Sequence, residues 1–191
     1  MNEEDLSRFY QGMNEFNTPD PIGSIYEKSF YKNESSQDPG IKLVNFISYC
    51  LNPNHYHFIL KQLVESGISL FMGKLGGGYA SYFNEKHKRT GSLFQGRFKA
   101  KHISSNDYLL HVSVYVNLNN LVHSLGEATP KNRIKSSWVE YSTNKRSFCE
   151  KDIVLEQFKT IKNYQTFAKD SLELMVEKKK NDKEISNLMF D

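Results

Sequence analysis

Residues 42–63, KLVNFISYCLNPNHYHFILKQL, are the stretch of the sequence that decides the fold. Two segments within it, 42–51 and 55–63, are rich in β-branched and aromatic side chains, which favours strands. The Asn-Pro-Asn sequence that separates them, residues 52–54, is typical of a turn. The stretch therefore predicts two strands that pair as a hairpin.

Helices are predicted on both sides of this hairpin. Residues 3–16 place apolar side chains at three- and four-residue steps, with Asp and Glu near the start of the segment. Residues 66–88 are also predicted to be helical, and the three glycines at 76–78 are expected to let this helix approach the sheet closely. N-cap candidates at 104–107 predict a further helix that runs to about Leu125.

The segments between and after these helices complete the predicted order of elements. Residues 17–40 are predicted to be a long loop, and residues 92–103 a short extended segment that adds a strand. Residues 151–180 are predicted to form two further helices. This order indicates an α+β fold in which an antiparallel sheet carries helices on one face.

The overall composition excludes some classes of protein but points to no function. The chain has 191 residues, among them 13 Phe and 11 Tyr, which is enough apolar material for a packed core. Its net charge of +3 is too small to indicate nucleic-acid binding by itself. No apolar run is long enough to cross a bilayer and no signal-peptide pattern is present, so a cytoplasmic protein without membrane contact is expected.

Two histidines, His55 and His57, flank one residue at the start of the second predicted strand. Side chains two residues apart in a strand point to the same face, about 7 Å apart at the backbone. The two imidazoles could therefore bind one metal ion. Paired histidines in a core or on a surface are the commoner explanation when such a pair is considered alone.

A tyrosine and an asparagine form a second candidate pair, on the helix predicted to end near Leu125. Tyr115 and Asn119 lie four residues apart, so a phenol and a carboxamide would share one helix face. An ordinary half-buried tyrosine with a capping asparagine is the alternative, and the pair by itself favours it.

A basic segment, residues 86–102, contains no Asp or Glu, and Phe94 and Phe98 are interleaved with its cations. Cations that alternate with aromatic rings suit a groove for single-stranded nucleic acid, where cations follow phosphates and rings stack on bases. A solvated basic strand edge is the alternative. The candidate DNA-binding residues are Lys86, Lys88, Arg89, Gln95, Arg97, Lys99 and Lys101.

Three segments in this order resemble the motifs of single-tyrosine HUH transposases. Residues 49–58, YCLNPNHYHF, resemble the HUH signature, in which U is a bulky apolar residue. Residues 91–99, GSLFQGRFK, resemble the segment that follows it in the REP-associated tyrosine transposases. Residues 115–119, YVNLN, resemble the tyrosine motif of that group. The resemblance covers roughly residues 5–125, which predicts a catalytic domain at 1–126 and a linker with a C-terminal helical extension at 127–191.

The resemblance implies a fold, a chemistry and a set of roles. The fold would be ferredoxin-like, Tyr115 would be the nucleophile, and His55, His57 and Asn119 would bind a Mg or Mn ion. Imidazole is a more usual ligand for manganese than for magnesium. The expected function is a DNA transposase that nicks and rejoins single-stranded or hairpin DNA through a covalent phosphotyrosine, as a monomer or a homodimer.

Two departures from the family pattern stand out. Asn120 takes the place of the Pro that usually follows the Asn ligand. The first strand of the family is also expected to be missing, because the helix predicted at 3–16 begins almost at Met1. Residues 24–28 could supply a replacement strand, or a second chain could complete the sheet. We favour a third expectation, a truncated or mis-started chain whose unpaired backbone groups make it fold poorly and nick weakly.

Two other functions remain open at this point. A catalytically weak or domesticated remnant of such a transposase would bind single-stranded DNA and keep the site residues without the activity. A metal-dependent hydrolase would use the histidine pair with water as the nucleophile.

Overall fold

The computed structural model describes residues 2–23, 40–123, 133–143, 145 and 148–188, with side chains as far as residue 182. Contacts within the chain divide it into two compact units. The first unit comprises residues 1–45 and 60–101, and the second comprises residues 46–59 and 102–191.

A β-hairpin forms where residues 42–63 predict one. Strand β1 is Val44–Leu51 and strand β2 is Tyr56–Gln62. The backbone N–H of Asn52 closes the turn between them by donating to the His55 carbonyl at 2.9 Å. The sheet of the described residues has three antiparallel strands in the order β2-β1-β3, accompanied by helices, so the predicted α+β class is confirmed.

Two helices that pack against each other lie in the first unit, α1 at Glu3–Glu15 and α2 at Gly67–Lys86. A capping box fixes the start of α1, since the side chains of Asn2 and Asp5 each accept the backbone N–H of the other residue. Within the predicted glycine triplet, a side chain at Gly78 would collide with the ring of Phe16, the residue that caps α1. This glycine therefore allows a close contact between helices, and the expected approach to the sheet is wrong.

The second unit contains the remaining described helices and a core of its own. These helices are α3 at Asn106–Asn117, α4 at Asn119–Val122, α5 at Trp138–Thr143, α6 at Asp152–Leu155 and α7 at Ile161–Leu188. Ile47 of β1 packs in this core with Val114, Tyr141 and Tyr164, all of them buried. The two helices predicted within 151–180 are confirmed as α6 and α7. No helix in the described part of the chain is long and apolar enough to span a membrane.

The third strand of the sheet does not come from the segment expected to supply it. Residues 92–104 form neither helix nor strand, so the strand predicted within 92–103 is wrong. Strand β3 is Lys135–Ser136, which pairs with the end of β1 at Cys50 and Leu51. The segment predicted to be a linker thus contributes a strand to the sheet.

Residues that follow β3 continue to hydrogen-bond to β1. The backbone N–H of Ser137 donates to the Tyr49 carbonyl at 3.0 Å, and the Ser137 hydroxyl accepts the Tyr49 N–H at 2.9 Å. The Tyr141 hydroxyl donates to the Ile47 carbonyl at 2.9 Å. Side chains and single backbone groups thus satisfy the polar groups that a longer neighbouring strand would pair.

This pairing bears on the expectation that β1 has unpaired backbone groups. Backbone groups of β1 between Phe46 and Leu51 are paired by residues 135–150 of the same chain. We expected poor folding because backbone groups of β1 would be unpaired. These contacts pair several of those groups, so that reason no longer applies. The alternative replacement strand at residues 24–28 lies outside the described residues.

A buried polar chain connects this edge of the sheet to α3 and α7. The Ser137 hydroxyl donates to Asn117 Oδ1 at 2.5 Å, and Asn117 Nδ2 donates to the Tyr164 hydroxyl at 3.0 Å. All three side chains have no exposed surface. Because buried polar groups are costly unless they are paired, the chain fixes the end of α3 relative to β1 and α7.

Replacement Ser137→Ala should destabilise the protein, because it leaves Asn117 Oδ1 and the Tyr49 N–H buried without these partners. Unpaired buried groups cost about 1–3 kcal/mol each, so the free energy of unfolding should fall by at least about 2 kcal/mol. Urea unfolding followed by circular dichroism measures the change. Ser142→Ala is the matched control, since the Ser142 hydroxyl donates to Val139 in its own helix. Equal losses in the two variants would contradict the role given to Ser137.

Candidate active site

The hairpin brings His55 and His57 together on one side of the sheet. His55 is the last residue of the turn and His57 is the second residue of β2. Their ring centroids are 5.3 Å apart and the ring planes are nearly perpendicular, at 80°. The expectation that the two imidazoles project together agrees with this geometry.

Tyr115 and Asn119 reach the histidines from two different helices. The predicted single helix to about Leu125 is wrong, because α3 ends at Asn117 and Leu118, with φ −114° and ψ 19°, separates it from α4. The Tyr115 ring nevertheless lies 5.4 Å from the His57 ring between centroids. Asn119 Oδ1 lies 3.1 Å from His55 Nε2. The break between the helices therefore leaves all four candidate side chains in one place.

Asn52 and Asn54, the two asparagines of the turn, set the orientation and tautomer of His55. Asn54 Oδ1 can only accept, and it lies 2.7 Å from His55 Nδ1, so the ring proton is on Nδ1. Asn52 Nδ2 lies 3.0 Å from His55 Nε2 and 2.9 Å from Asn119 Oδ1, and it donates to both. The sequence motif contains both asparagines, but it indicates a turn and gives no sign of these contacts.

His55 Nε2 and Asn119 Oδ1 are therefore two acceptors, 3.1 Å apart, that share the Asn52 amide as donor. A cation bound by both atoms would take the place of that donor. Within the described ranges, no group of three His, Cys, Asp or Glu side chains has the geometry of a metal site. The predicted set includes only two such side chains, since its third member is an amide. Two imidazole nitrogens and an amide oxygen fit a divalent ion such as Mn²⁺, and fit Mg²⁺ less well.

Burial keeps one of these histidines neutral. Desolvation, followed by the nearby charges of His55 and His123, lowers the pKa of His57 from 6.5 to about 4. A neutral imidazole is the form that binds metal, so His57 is ready to act as a ligand at pH 7. Asn119 Nδ2 is buried and has no hydrogen-bond partner among the described residues, a cost of about 1–3 kcal/mol that the site tolerates.

His123 is a site residue that the sequence did not indicate. It caps α4, and its Nε2 lies 3.5 Å from the Tyr115 hydroxyl. Its ring centroid is 5.9 Å from that of His55. Burial, the charge of Lys179 and that of His55 lower the pKa of His123. Neither His123 nor Lys179 belongs to a recognisable motif, and 56 residues separate them.

Residues 86–101 of the basic segment lie in the first unit, and their side chains have different surroundings. Lys86 ends α2 and forms ion pairs with Glu4 at 2.8 Å and Asp5 at 2.9 Å. Hydrogen bonds to Glu4 and to the Tyr82 hydroxyl raise the pKa of Lys86. The guanidinium of Arg89 lies over the Phe83 ring at 5.8 Å. The Lys86 ammonium group is therefore already paired with two carboxylates of its own unit.

The rest of the basic segment is exposed and lacks strand structure. Exposed side chains at Lys88, Gln95, Arg97, Lys99 and Lys101 lie outside any helix or strand, so the expected alternation on an extended strand does not apply to them. Phe94 is partly buried near α2, with its ring 6.5 Å from that of Tyr79, whereas 41% of Phe98 is exposed. Of the two phenylalanines, Phe98 is the more exposed.

One protein-family model matches the part of the chain that contains these residues. The model of the family described as IS200-like transposase matches residues 28–119. The chain is similar to IS200-like transposases over this segment. The segment includes His55, His57 and Tyr115 and ends at Asn119. No curated protein and no solved structure is significantly similar to the chain.

The stability of the metal-free protein should fall as the pH drops from about 6.5 to about 4. Folded His57 takes up its proton near pH 4, whereas an unfolded histidine does so near 6.5, so protonation favours unfolding in this window. Urea unfolding at pH 7, 6 and 5 in the presence of a chelator measures the dependence. His57→Asn removes the titrating group, and its stability should vary less with pH. An identical pH dependence in both proteins would contradict a buried, neutral His57.

Proposed function

We propose that the protein nicks and rejoins single-stranded or hairpin DNA through a covalent bond to Tyr115, with a divalent metal ion held by His55, His57 and Asn119. The observation that carries this proposal is the proximity of two acceptors, His55 Nε2 and Asn119 Oδ1, which lie 3.1 Å apart beside the histidine and tyrosine pair His57 and Tyr115. The family match at residues 28–119 supports the transposase class. The likeness of residues 91–99 to the REP-associated group makes that group the proposed subgroup.

The ligand set explains why a DNA phosphate belongs in this site. His57, His55 and Asn119 are uncharged in the forms that bind metal, so they leave the charge of a divalent ion uncompensated. A bound divalent ion would polarise a scissile phosphate and offset the charge that builds on its oxygens. Asn54 holds the His55 proton on Nδ1, which leaves the Nε2 lone pair on the side of Asn119 Oδ1, where Asn52 now donates to both atoms.

Tyr115 would supply the nucleophile for the nicking step. Its phenolic oxygen forms a bond to phosphorus while the bond from phosphorus to one deoxyribose oxygen breaks. That oxygen leaves as a hydroxyl and gains a proton, and the phenol releases its proton to water. The new phosphotyrosine ester conserves the energy of the broken phosphodiester, so the reverse attack by a DNA hydroxyl rejoins the strand without ATP. A phenol is a weak nucleophile at neutral pH, so it needs help from its surroundings.

Single-stranded DNA would be bound by the exposed part of the basic segment. Arg97, Lys99 and Lys101 are exposed, and Phe98 offers a ring for stacking. Lys88, Arg89 and Gln95 complete the proposed set. Lys86 is expected to contribute less, because its ammonium group is already paired with two carboxylates.

Tyr115→Phe should abolish formation of a denaturant-resistant protein–DNA adduct. The variant loses only a hydroxyl group, so its affinity for DNA should stay within about 1 kcal/mol of that of the wild type. The assay incubates the protein with a labelled single-stranded hairpin and Mn²⁺ and separates the products on a denaturing gel. Tyr108→Phe, a change to another tyrosine of α3, is the matched control and should keep the adduct.

The same gel separates the proposal from its rivals. A chelator should remove the adduct and added Mn²⁺ should restore it. A mobility shift without cleavage would favour a binding protein, and cleavage without an adduct would favour a hydrolase that uses water. An adduct that persists in Tyr115→Phe would refute the assignment of the nucleophile.

Neutralising Arg97 and Lys99 together should weaken binding to single-stranded DNA of any sequence and lower its salt dependence. Each lost phosphate contact should reduce the slope of log K against log salt by about 0.7. Fluorescence anisotropy over a range of salt concentrations measures both effects. Neutralising Lys159 and Lys162, two exposed lysines of the second unit, removes the same charge and serves as the control. Equal slopes in the two variants would show that the basic segment is merely solvated.

A further inference from the structure

His123 lies between the Tyr115 hydroxyl and the C-terminal helix α7. On one side of the ring, Nε2 is 3.5 Å from the Tyr115 oxygen, at the long limit of a hydrogen bond. On the other side, Nδ1 is hydrogen-bonded to Nζ of Lys179 in α7. The Lys179 ammonium group also donates to the Val122 carbonyl at 3.4 Å. The three side chains form one continuous contact from α7 to the candidate nucleophile.

The direction of these hydrogen bonds follows from the chemistry of the groups. A lysine ammonium group carries three donors and no acceptor, so Nδ1 of His123 must present its lone pair to Lys179. The neutral ring then carries its proton on Nε2. The Nε2–H therefore donates to the phenolic oxygen of Tyr115. In this tautomer His123 has no lone pair toward Tyr115 and acts as a donor to it.

We infer that α7 is part of the active site: Lys179 sets the tautomer of His123, and the His123 Nε2–H positions the Tyr115 oxygen that attacks phosphorus. The inference rests on the proposed function and assigns a role to the C-terminal extension. Lys179 and His123 are positioning residues, because they act on Tyr115 and not on the substrate.

The packing of the second unit places α7 where this role requires it. Helix α7 contacts both α3, which carries Tyr115, and α4, which ends beside His123. Tyr164 and Ala168 of α7 are fully buried, so the base of the helix is fixed in the core. The backbone N–H of His123 donates to the Asn119 carbonyl at 3.1 Å, which fixes the ring near the site. If Lys179 only capped the end of α4, its contact with the Val122 carbonyl would be sufficient. Lys179 also contacts Nδ1 of His123.

Two substitutions of His123 separate its two nitrogens. Gln places its amide N–H about where Nε2 is, whereas Asn places an acceptor about where Nδ1 is and cannot reach Tyr115. Single-turnover adduct formation, with saturating hairpin DNA and Mn²⁺, should be about 10-fold slower in His123→Asn than in the wild type. His123→Gln should recover most of that loss. DNA affinity and thermal stability should be similar in the two variants.

Lys179→Met tests the other half of the contact. Without the ammonium group the ring can adopt the opposite tautomer, so the adduct rate should fall by about 3-fold or more while DNA affinity changes little. Lys180→Met, a change to the next lysine of the same helix, is the matched control. In the His123→Gln background Lys179→Met should have no added effect on the rate, because a glutamine has no ring tautomer to set.

The outcomes distinguish this inference from the proposed function. If the wild type forms no adduct, the proposed function fails and this inference fails with it. If the wild type forms the adduct and His123→Asn forms it equally fast, only the positioning role is wrong. Equal defects in His123→Asn and His123→Gln, accompanied by equal losses of thermal stability, would reduce His123 to a structural residue and overturn the inference.

Discussion

The hydrogen bonding of strand β1 by residues 135–150 is the constraint on which the second unit depends. A strand with buried, unpaired backbone groups would cost much of the stability of a small domain. Strand β3 pairs with Cys50 and Leu51, Ser137 pairs with Tyr49, and the Glu150 N–H donates to the Phe46 carbonyl at 2.8 Å. These contacts make the C-terminal extension a structural part of the sheet that carries the site histidines.

The same contacts control the position of the catalytic candidates. Asn117 lies between Tyr115 and Asn119 in the chain and points away from the site into the bonds with Ser137 and Tyr164. Since this buried amide fixes the end of α3, the tyrosine and the asparagine on either side of it are held in register with the hairpin. The break at Leu118 then turns Asn119 toward His55. The buried hydrogen bonds of Ser137, Asn117 and Tyr164 thus fix the positions of Tyr115 and Asn119 without direct contact with the histidines.

The candidate site combines neutral side chains with oriented donors. Asn52 and Asn54 contact the His55 ring, burial keeps His57 neutral, and His123 lies beside the Tyr115 hydroxyl that we propose as the nucleophile. In such an arrangement the positive charge of a bound ion would be left for the phosphate of the substrate. This distribution of charge supports the phosphodiester cleavage that we propose.

The sequence by itself determined the hairpin, because the strand pattern and the Asn-Pro-Asn turn are local signals, and it determined the spacing of His55, His57, Tyr115 and Asn119. It misplaced the third strand and the end of the helix that carries Tyr115, because alternation in residues 92–103 and a continuous helical pattern do not reveal competing tertiary contacts. Only the tertiary structure decided that residues 135–150 pair with β1, and that Lys179 reaches His123. Those partners are 56 to 104 residues apart in the chain, and no local pattern records a hydrogen bond over that distance.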